Sequence, residues 1–318
     1  MPTLETLKVP PEARGSRLDK YLADVLKDSG LSRSALRRLL DEGSVKVDGE
    51  LRPAKQPLKG GETLTVLRPD PAPSVLTAAD IPLDVLFEDE HLIVVNKPAG
   101  LVTHPGAGHR GDTFANALLH HCGAKLKAGL SGPRPGIVHR LDKDTTGCLV
   151  AAKSEEAFVG LRKLIAAHEV RRVYLALVWG DLPVEAGTID APLGRGADRR
   201  RMDIRQGGGR PAVTHFRVLK RFADACELEC RLETGRTHQI RAHLKSIKHP
   251  LVGDPVYGGT PGHLAPTVGA ALAEVLGRQA LHAQKLRFVH PVSGATVQAQ
   301  APEPADYRAA RKILKADR

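Results

Sequence analysis

The run His139-Arg140-Leu141-Asp142-Lys143-Asp144-Thr145-Thr146-Gly147 sets a carboxylate, Asp142, into a short polar stretch two residues after an arginine. A carboxylate in such a place can act as a nucleophile or a general base. In a dry pocket it would protonate, so it needs a nearby cation. Asp142 and Asp144 together also suggest a glycoside hydrolase. That reaction needs two carboxyls straddling a sugar, which positions i and i+2 of one loop do not ensure. Apolar segments flank the run, Gly136-Ile137-Val138 before it and Cys148-Leu149-Val150-Ala151-Ala152 after it. Polar groups between two strand-like segments sit on a loop braced by a sheet. Taken alone, the run reads equally well as a surface turn of solvated charge.

Two other patterns invite chemistry and do not carry it. Cys226 and Cys230 resemble a metal pair, but Cys226-Glu227-Leu228-Glu229-Cys230-Arg231-Leu232-Glu233 alternates apolar and charged, as a half-buried strand does. Both thiols then face the core, and no second pair has zinc spacing. Gly106-Ala107-Gly108-His109-Arg110-Gly111 matches a dinucleotide-binding glycine pattern. Pro105 interrupts the strand that should lead into it, and no acid follows at the required distance, so a basic loop is expected. No cofactor and no metal are expected.

The elements that must position Asp142 fall into two modules. Residues 1–15 read as a flexible tail, and 16–69 as a small α+β module. Leu18, Leu22, Val25 and Leu26 mark one face of a helix. Ser32 or Ser34 caps a second helix that ends at Gly43, with Arg33, Arg37 and Arg38 at its start and side. Short strands follow around Asp48-Gly49 and over Glu62–Leu67. Residues 70–80 are Pro-rich and read as a linker. Residues 81–303 form a larger domain. Strands such as Leu92–Val95, Val173–Val178 and Ala225–Leu232 outnumber its helices, which predicts a mixed α+β fold with a mainly antiparallel sheet. Ser154 caps one helix there, with Glu155 and Glu156 in its first turn. Another helix starts near Thr237 and turns Ile240, Leu244 and Ile247 inward. Residues 304–318 read as a basic helix or tail that frays.

Composition bounds the partners. Of 318 residues, 47 are Lys or Arg and 36 are Asp or Glu, a net charge of +11. Such a surplus suggests a polyanionic partner, nucleic acid first. Aromatics make up only 3% of residues, so binding should rest on Lys and Arg at phosphates rather than on stacking. Gly194–Arg210 holds six Arg and two Asp and reads as a mobile basic loop able to clamp RNA through Arg199, Arg200 and Arg201. Four scattered cysteines, no leader-like N-terminus and no bilayer-length apolar run point to the cytoplasm.

Four segments, taken in order, resemble the RluA-type family of RNA pseudouridine synthases. They are Leu92–Gly106 with Asn96-Lys97-Pro98; Gly136–Gly147; Tyr174–Gly180; and Leu232–Leu244 with Thr237-His238-Gln239-Ile240-Arg241, continuing to His249–Gly258. The first module, with Arg17-Leu18-Asp19-Lys20, Ser32-Arg33-Ser34 and Gly43–Gly49, resembles an S4 RNA-binding domain. The resemblance implies isomerisation of uridine to pseudouridine in RNA. The expected target is large-subunit ribosomal RNA, free or in the subunit, and a monomeric enzyme is expected. It implies that Asp142 is the catalytic carboxylate, attacking C1′ or removing the C2′ proton. It makes Arg241 the cation that keeps Asp142 charged. Tyr174 becomes the base-stacking tyrosine that serves as general base, and Arg140 the residue that fills the space a flipped uridine leaves. Asn96-Lys97-Pro98 would support the loop. His139, Asp144 and Thr145 would shape it. Thr103 and Cys148 depart from the family pattern without touching the chemistry. Without the resemblance, a half-buried core tyrosine and a solvated arginine remain adequate readings of Tyr174 and Arg241. A noncatalytic S4-containing ribosome-assembly factor is the competing function.

Overall fold

The computed structural model describes residues 3–26, 33–68, 76–106, 108–109, 111–123, 126, 135–198, 200–259, 261 and 264–316. Two compact units divide the chain, Met1–Ser74 and Val75–Arg318. Ser32, Ala107, Arg110, Arg199 and residues 70–75 of the expected linker lie outside the described residues.

The first unit is a three-stranded antiparallel sheet packed on two helices. Strand β1 (Thr3–Lys8) pairs with β3 (Thr63–Arg68), which pairs in turn with β2 (Val45–Val47). Residues read as a flexible tail are therefore an edge strand, anchored by main-chain bonds from Thr3 to Lys8 and by the buried Val9. Too few of its side chains are apolar for sequence patterning to show this. Helices α1 (Leu18–Val25) and α2 (Arg33–Asp41) close the core through Leu18, Leu22, Leu26, Leu36 and Leu39. Val25, assigned to the inner face by spacing, is instead exposed.

The second unit is built on one sheet, ordered β4-β5-β6-β13-β7-β12-β11-β8, with β14 beside β13. Its strands are β4 (Val85–Glu88), β5 (Leu92–Lys97), β6 (Thr146–Ala152), β7 (Arg171–Trp179), β8 (Ala186–Asp190), β11 (Val213–Arg221), β12 (Ala225–Leu232), β13 (Leu281–Val289) and β14 (Thr296–Gln300). Among the described residues only the β6–β13 pair of this sheet is parallel, so the mixed, mainly antiparallel α+β expectation holds.

Period-two alternation sorts each strand between two cores. Ile93, Val95, Tyr174, Ala176, Val178, Cys226, Leu228 and Cys230 share one cluster, which also takes in Ile240 and Leu244. Leu92, Val94, Leu175, Leu177 and Trp179 face the other side. That side is covered by α4 (Glu155–Ala166), α6 (Pro266–Val275) and α7 (Ala305–Ala316). Ser154 caps α4 by accepting from the Ala157 amide. Helix α7 is no fraying tail. Tyr307, Ala310 and Leu314 are buried, and each large apolar side chain so placed contributes about 1.5–3 kcal/mol. The same helix buries Glu227 beneath Tyr307 and Arg311, so β12 is covered on both faces rather than half-buried. Helix α3 (Phe114–Cys122) is capped by Thr113 and holds Thr77 and Ala79 through Asn116.

The basic segment over 194–210 is ordered structure where it is described. Strands β9 (Leu193–Arg195) and β10 (Met202–Ile204) pair as a hairpin against α5 (Gln239–Ser246). Its charge pattern gave no sign of the Leu193 and Met202 side chains that seat it beside Ala242 and Tyr257. The described part of the glycine pattern closes as a turn, with mutual bonds between Gly106 and His109.

Candidate active site

Asp142 sits on the loop that leads into β6, in the second unit. Gly147 fixes where that loop joins the sheet. It has φ 109°, and a Cβ there would lie 2.2 Å from the Ala283 carbonyl of β13, so no other residue permits this approach. Buried donors hold the loop from beneath. The Thr103 hydroxyl donates to the Leu141 carbonyl at 2.9 Å and accepts from the Leu141 amide at 3.3 Å. Lys97, 0% exposed, donates to the carbonyls of Lys143 and Leu101 at 2.9 Å and of Pro98 at 2.7 Å. Burial pushes its ammonium down to about 7, against the pull of Asp144 and Asp142. Arg278 donates to the Asp144 carbonyl at 3.1 Å while its other edge holds Asp306.

The Asp142 side chain is 15% exposed, and one oxygen takes the load. Arg241 Nη1 donates to Oδ2 at 3.2 Å, and His238 Nε2 lies 4.0 Å from the same oxygen. Arg241 is itself pinned. Its Nε and Nη2 donate to the two oxygens of Asp254 at 2.7 and 2.9 Å, which leaves Nη1 for Asp142. A bidentate fork fixes direction as well as charge. Burial works against the Arg241 charge, but Asp254 and Asp142 outweigh it and hold the group above its ordinary value. Burial likewise pushes Asp254 up, yet Arg241 and the amides of Tyr257 and Val256 reverse the shift, and it ends below the usual carboxylate range.

His238 begins α5 in the left-handed conformation, φ 54°, an uncommon state for histidine. That turn sets its ring edge-on to Tyr257, with Nδ1 3.1 Å from the tyrosine hydroxyl. The Tyr257 ring also lies 5.1 Å from the Arg241 guanidinium. Burial pushes the His238 imidazole below its ordinary value, against Asp142.

Tyr174 in β7 lines the same recess as Asp142, Arg140, Arg172 and Arg241. A register shift in β13 between His282 and Lys285 falls opposite Tyr174, where a bulge re-aims neighbouring side chains. Burial pushes the Tyr174 phenol above its ordinary value; the Arg172 charge opposes this and Asp142 adds to it.

The family profile described as RNA pseudouridylate synthase matches residues 91–246. A ribosomal large subunit pseudouridine synthase D of Xanthomonas campestris is 45% identical over 318 residues, covering 99% of this chain and 94% of its own. Its namesake in Zymomonas mobilis is 46% identical, with 99% and 98% covered. The chain belongs to the RNA pseudouridine synthase family. The solved structure titled Human RNA Pseudouridylate Synthase Domain Containing 4 matches the synthase with TM-score 0.57 at 25% identity, over 73% of this chain and 92% of that one. Human RNA Pseudouridylate Synthase Domain Containing 1 gives TM-score 0.54 at 26% identity, over 71% and 86%.

The structure brings Asp142, Tyr174, Arg241 and Arg140 of the synthase to one recess. Of the other expected RNA-binding arginines that are described, Arg200 and Arg201 of the same unit do not line it. Arg37 pairs with Asp41 on α2, which also carries Arg33 and Arg38. Arg200 pairs with Asp198 in solvent, and Arg201 lies 5.9 Å from the Tyr257 ring. Sequence reading gave no role to His238, Asp254, Tyr257, Arg172 and Arg278, and it set Thr103 apart from the chemistry. Asp254 and Tyr257 stand inside the quoted His249–Gly258 segment, so the signal was present without a role attached. Thr103 braces the residue next to Asp142.

Proposed function

We propose that the synthase isomerises uridine to pseudouridine in large-subunit ribosomal RNA, with Asp142 as its catalytic carboxylate. The observation that carries this is the Asp254–Arg241–Asp142 relay. It sets a guanidinium, itself aimed by Asp254, against a partly buried carboxylate and anchors it by Oδ2, leaving Oδ1 to act on the ribose. The target uridine leaves its stack for the recess, and Arg140, exposed beside it, fills the space left in the RNA. Asp142 then attacks C1′ or removes the C2′ proton, and the C1′–N1 bond breaks with the electron pair leaving on the base. The base turns and C5 bonds to C1′ as the Asp142–C1′ bond breaks or the proton returns to C2′; the C5 proton is lost and N1 takes up a proton, so atoms balance within one nucleotide.

Tyr174 supplies the face on which the base stacks and, as the phenolate, the oxygen that removes the C5 proton. Burial keeps the phenol protonated at rest, and the Arg172 charge lowers the cost of reaching the phenolate. Arg33, Arg37 and Arg38 of the S4-like unit, with Arg199, Arg200 and Arg201 of the basic segment, are assigned to phosphates of the RNA. The net charge of +11 supports this, and the binding is expected to weaken with salt.

The test incubates unmodified large-subunit ribosomal RNA with wild type and with Asp142→Asn, then maps pseudouridine. Wild type should convert specific uridines. Asp142→Asn should bind the RNA and lose turnover by roughly 10⁴-fold or more. Absence of product from wild type on ribosomal RNA, transfer RNA and assembled subunits would overturn the assignment.

A further inference from the structure

The recess around Asp142 adjoins a second cleft of about 500 Å³, in which the reaction above places no part of the substrate. Arg140, Arg172 and Arg236 line both spaces. Arg172 lies in β7 two residues before Tyr174 and is 6% exposed. Its Nη2 donates to the Glu233 carbonyl at 3.1 Å, with a longer contact to that of Leu232 at 3.5 Å. Its Nε is buried with no hydrogen-bond partner. No carboxylate pairs with it among the described residues, whereas the equally buried Arg241 grips two and Arg278 one. A buried guanidinium without a counter-charge is costly and calls for an anion.

The surroundings do not supply that charge. Glu233 lines the cleft, but its carboxylate is turned away to His215 Nε2 at 2.7 Å. The Glu233 carbonyl is shared with His168 Nδ1. The loop passes over Arg172 at Gly235, where a Cβ would stand 2.9 Å from Nη1, so a side chain there would press on the guanidinium. The cleft therefore presents three guanidinium groups around one deeply buried floor, with its single acid facing elsewhere.

We propose that this cleft seats a phosphodiester of the RNA strand, the linkage adjoining the flipped uridine, with Arg172 as its floor and Arg140 and Arg236 as its walls. The proposal rests on the isomerase reading and adds where the strand is held. Because Arg140 and Arg172 line both spaces, a strand with its base in the recess brings its neighbouring phosphate to the cleft. Fixing that phosphate sets which base enters, so the seat positions the substrate rather than taking part in bond exchange.

The test starts from a stem-loop RNA that wild type converts. Versions are made with a neutral methylphosphonate at the linkage 5′ or 3′ of the target, with 2′-O-methyl on the preceding ribose. An RNA with the methyl group and a normal phosphate is the reference. Binding is measured in the Asp142→Asn background, alone and combined with Arg172→Gln or Arg236→Gln, with thermal melting as a check on folding. One neutral linkage should weaken binding about tenfold or more when Arg172 is present and about threefold or less once it is Gln. Arg236→Gln should shrink the loss in the same direction, and it decides the matter if Arg172→Gln does not fold. Equal losses in all proteins, or no loss at either linkage, would overturn the seat. Displacement of the RNA by low millimolar inorganic phosphate would assign the cleft to a free anion and also overturn it. If no RNA is converted at the outset, the isomerase reading fails instead.

Discussion

The two faces of the Asp142 loop are built on opposite rules. Beneath it, every carbonyl from Leu141 to Asp144 has a donor: Thr103, the Thr145 amide, Lys97 and Arg278 in turn. Gln279 adds a bond to the Thr145 hydroxyl. On the recess side, Arg172 Nε has no partner, Arg140 is exposed, and no described residue bonds the Tyr174 hydroxyl. A satisfied buried network rigidifies one shape, while each unsatisfied buried group needs an explanation. Here the explanation is division of labour. The underside defines the loop, and the recess side keeps its donors for RNA.

Removing a member of the underside should therefore act on the whole fold. Arg278→Leu strips the Asp144 carbonyl and leaves Asp306 without its fork. Asp306 is 30% exposed, so the loss should fall below the full cost of breaking a buried pair, at about 2–3 kcal/mol, to be read from denaturant unfolding of the full chain. Turnover should fall with it, because the Asp142 loop loses its tie to α7. A loss below about 1 kcal/mol would mean that the underside is not a working brace.

The recess side should give the reverse result. Tyr174→Phe keeps the ring in its cluster and removes a hydroxyl that no described residue bonds. Stability should stay within about 1 kcal/mol of wild type. Turnover should drop about 10²–10⁴-fold while RNA affinity is kept, the range for losing a general base. Normal turnover would take Tyr174 out of the proton step. A stability loss as large as that of Arg278→Leu would erase the distinction between the faces.

Much of this layout was legible in the residues, and the limits of legibility have a physical cause. The alternation of β5, β7 and β12 predicts a sheet, and the ordered motifs single out Asp142, Tyr174 and Arg241. Beyond the Arg241–Asp142 pair, which the resemblance implies, partner choice was not legible. Arg241 meets Asp254 thirteen positions on, and Arg278 meets Asp306 twenty-eight on. Nothing local distinguishes either aspartate from a solvated one. Arg172 looks like any basic residue at a strand edge until the loop at Gly235 covers it. Edge strand β1 and the β9–β10 hairpin are held by main-chain pairing, to which side-chain patterning is blind.

A smaller effect is expected from Thr103→Val, which removes both bonds to Leu141 and keeps the shape of the side chain. Two orphaned main-chain groups should cost about 1–3 kcal/mol in unfolding experiments. Turnover should fall more than RNA affinity, since the loop is displaced and not the RNA contacts. Equal falls in both would place Thr103 in general packing rather than in the brace.

His139 belongs to both faces and sharpens the comparison through pH. Its ring lines the Arg172 cleft, yet Nε2 is spent accepting the Val150 amide of β6 at 3.0 Å, so its proton sits on Nδ1. Burial first, and the Arg172 charge second, push the imidazole from 6.5 down to about 3. Between those values the unfolded chain binds a proton that the folded chain refuses. Stability from this residue is thus complete above pH 6.5 and is lost as pH falls toward about 3, at no more than about 1.4 kcal/mol per pH unit. His139→Gln keeps an acceptor for the Val150 amide and does not titrate. The stability difference between wild type and variant, followed by urea unfolding from about pH 7 to about pH 4, should move steadily against wild type. A difference that stays flat with pH would show that the ring takes up a proton in the folded state, and with it that the Val150 bond does not bind His139 to the scaffold.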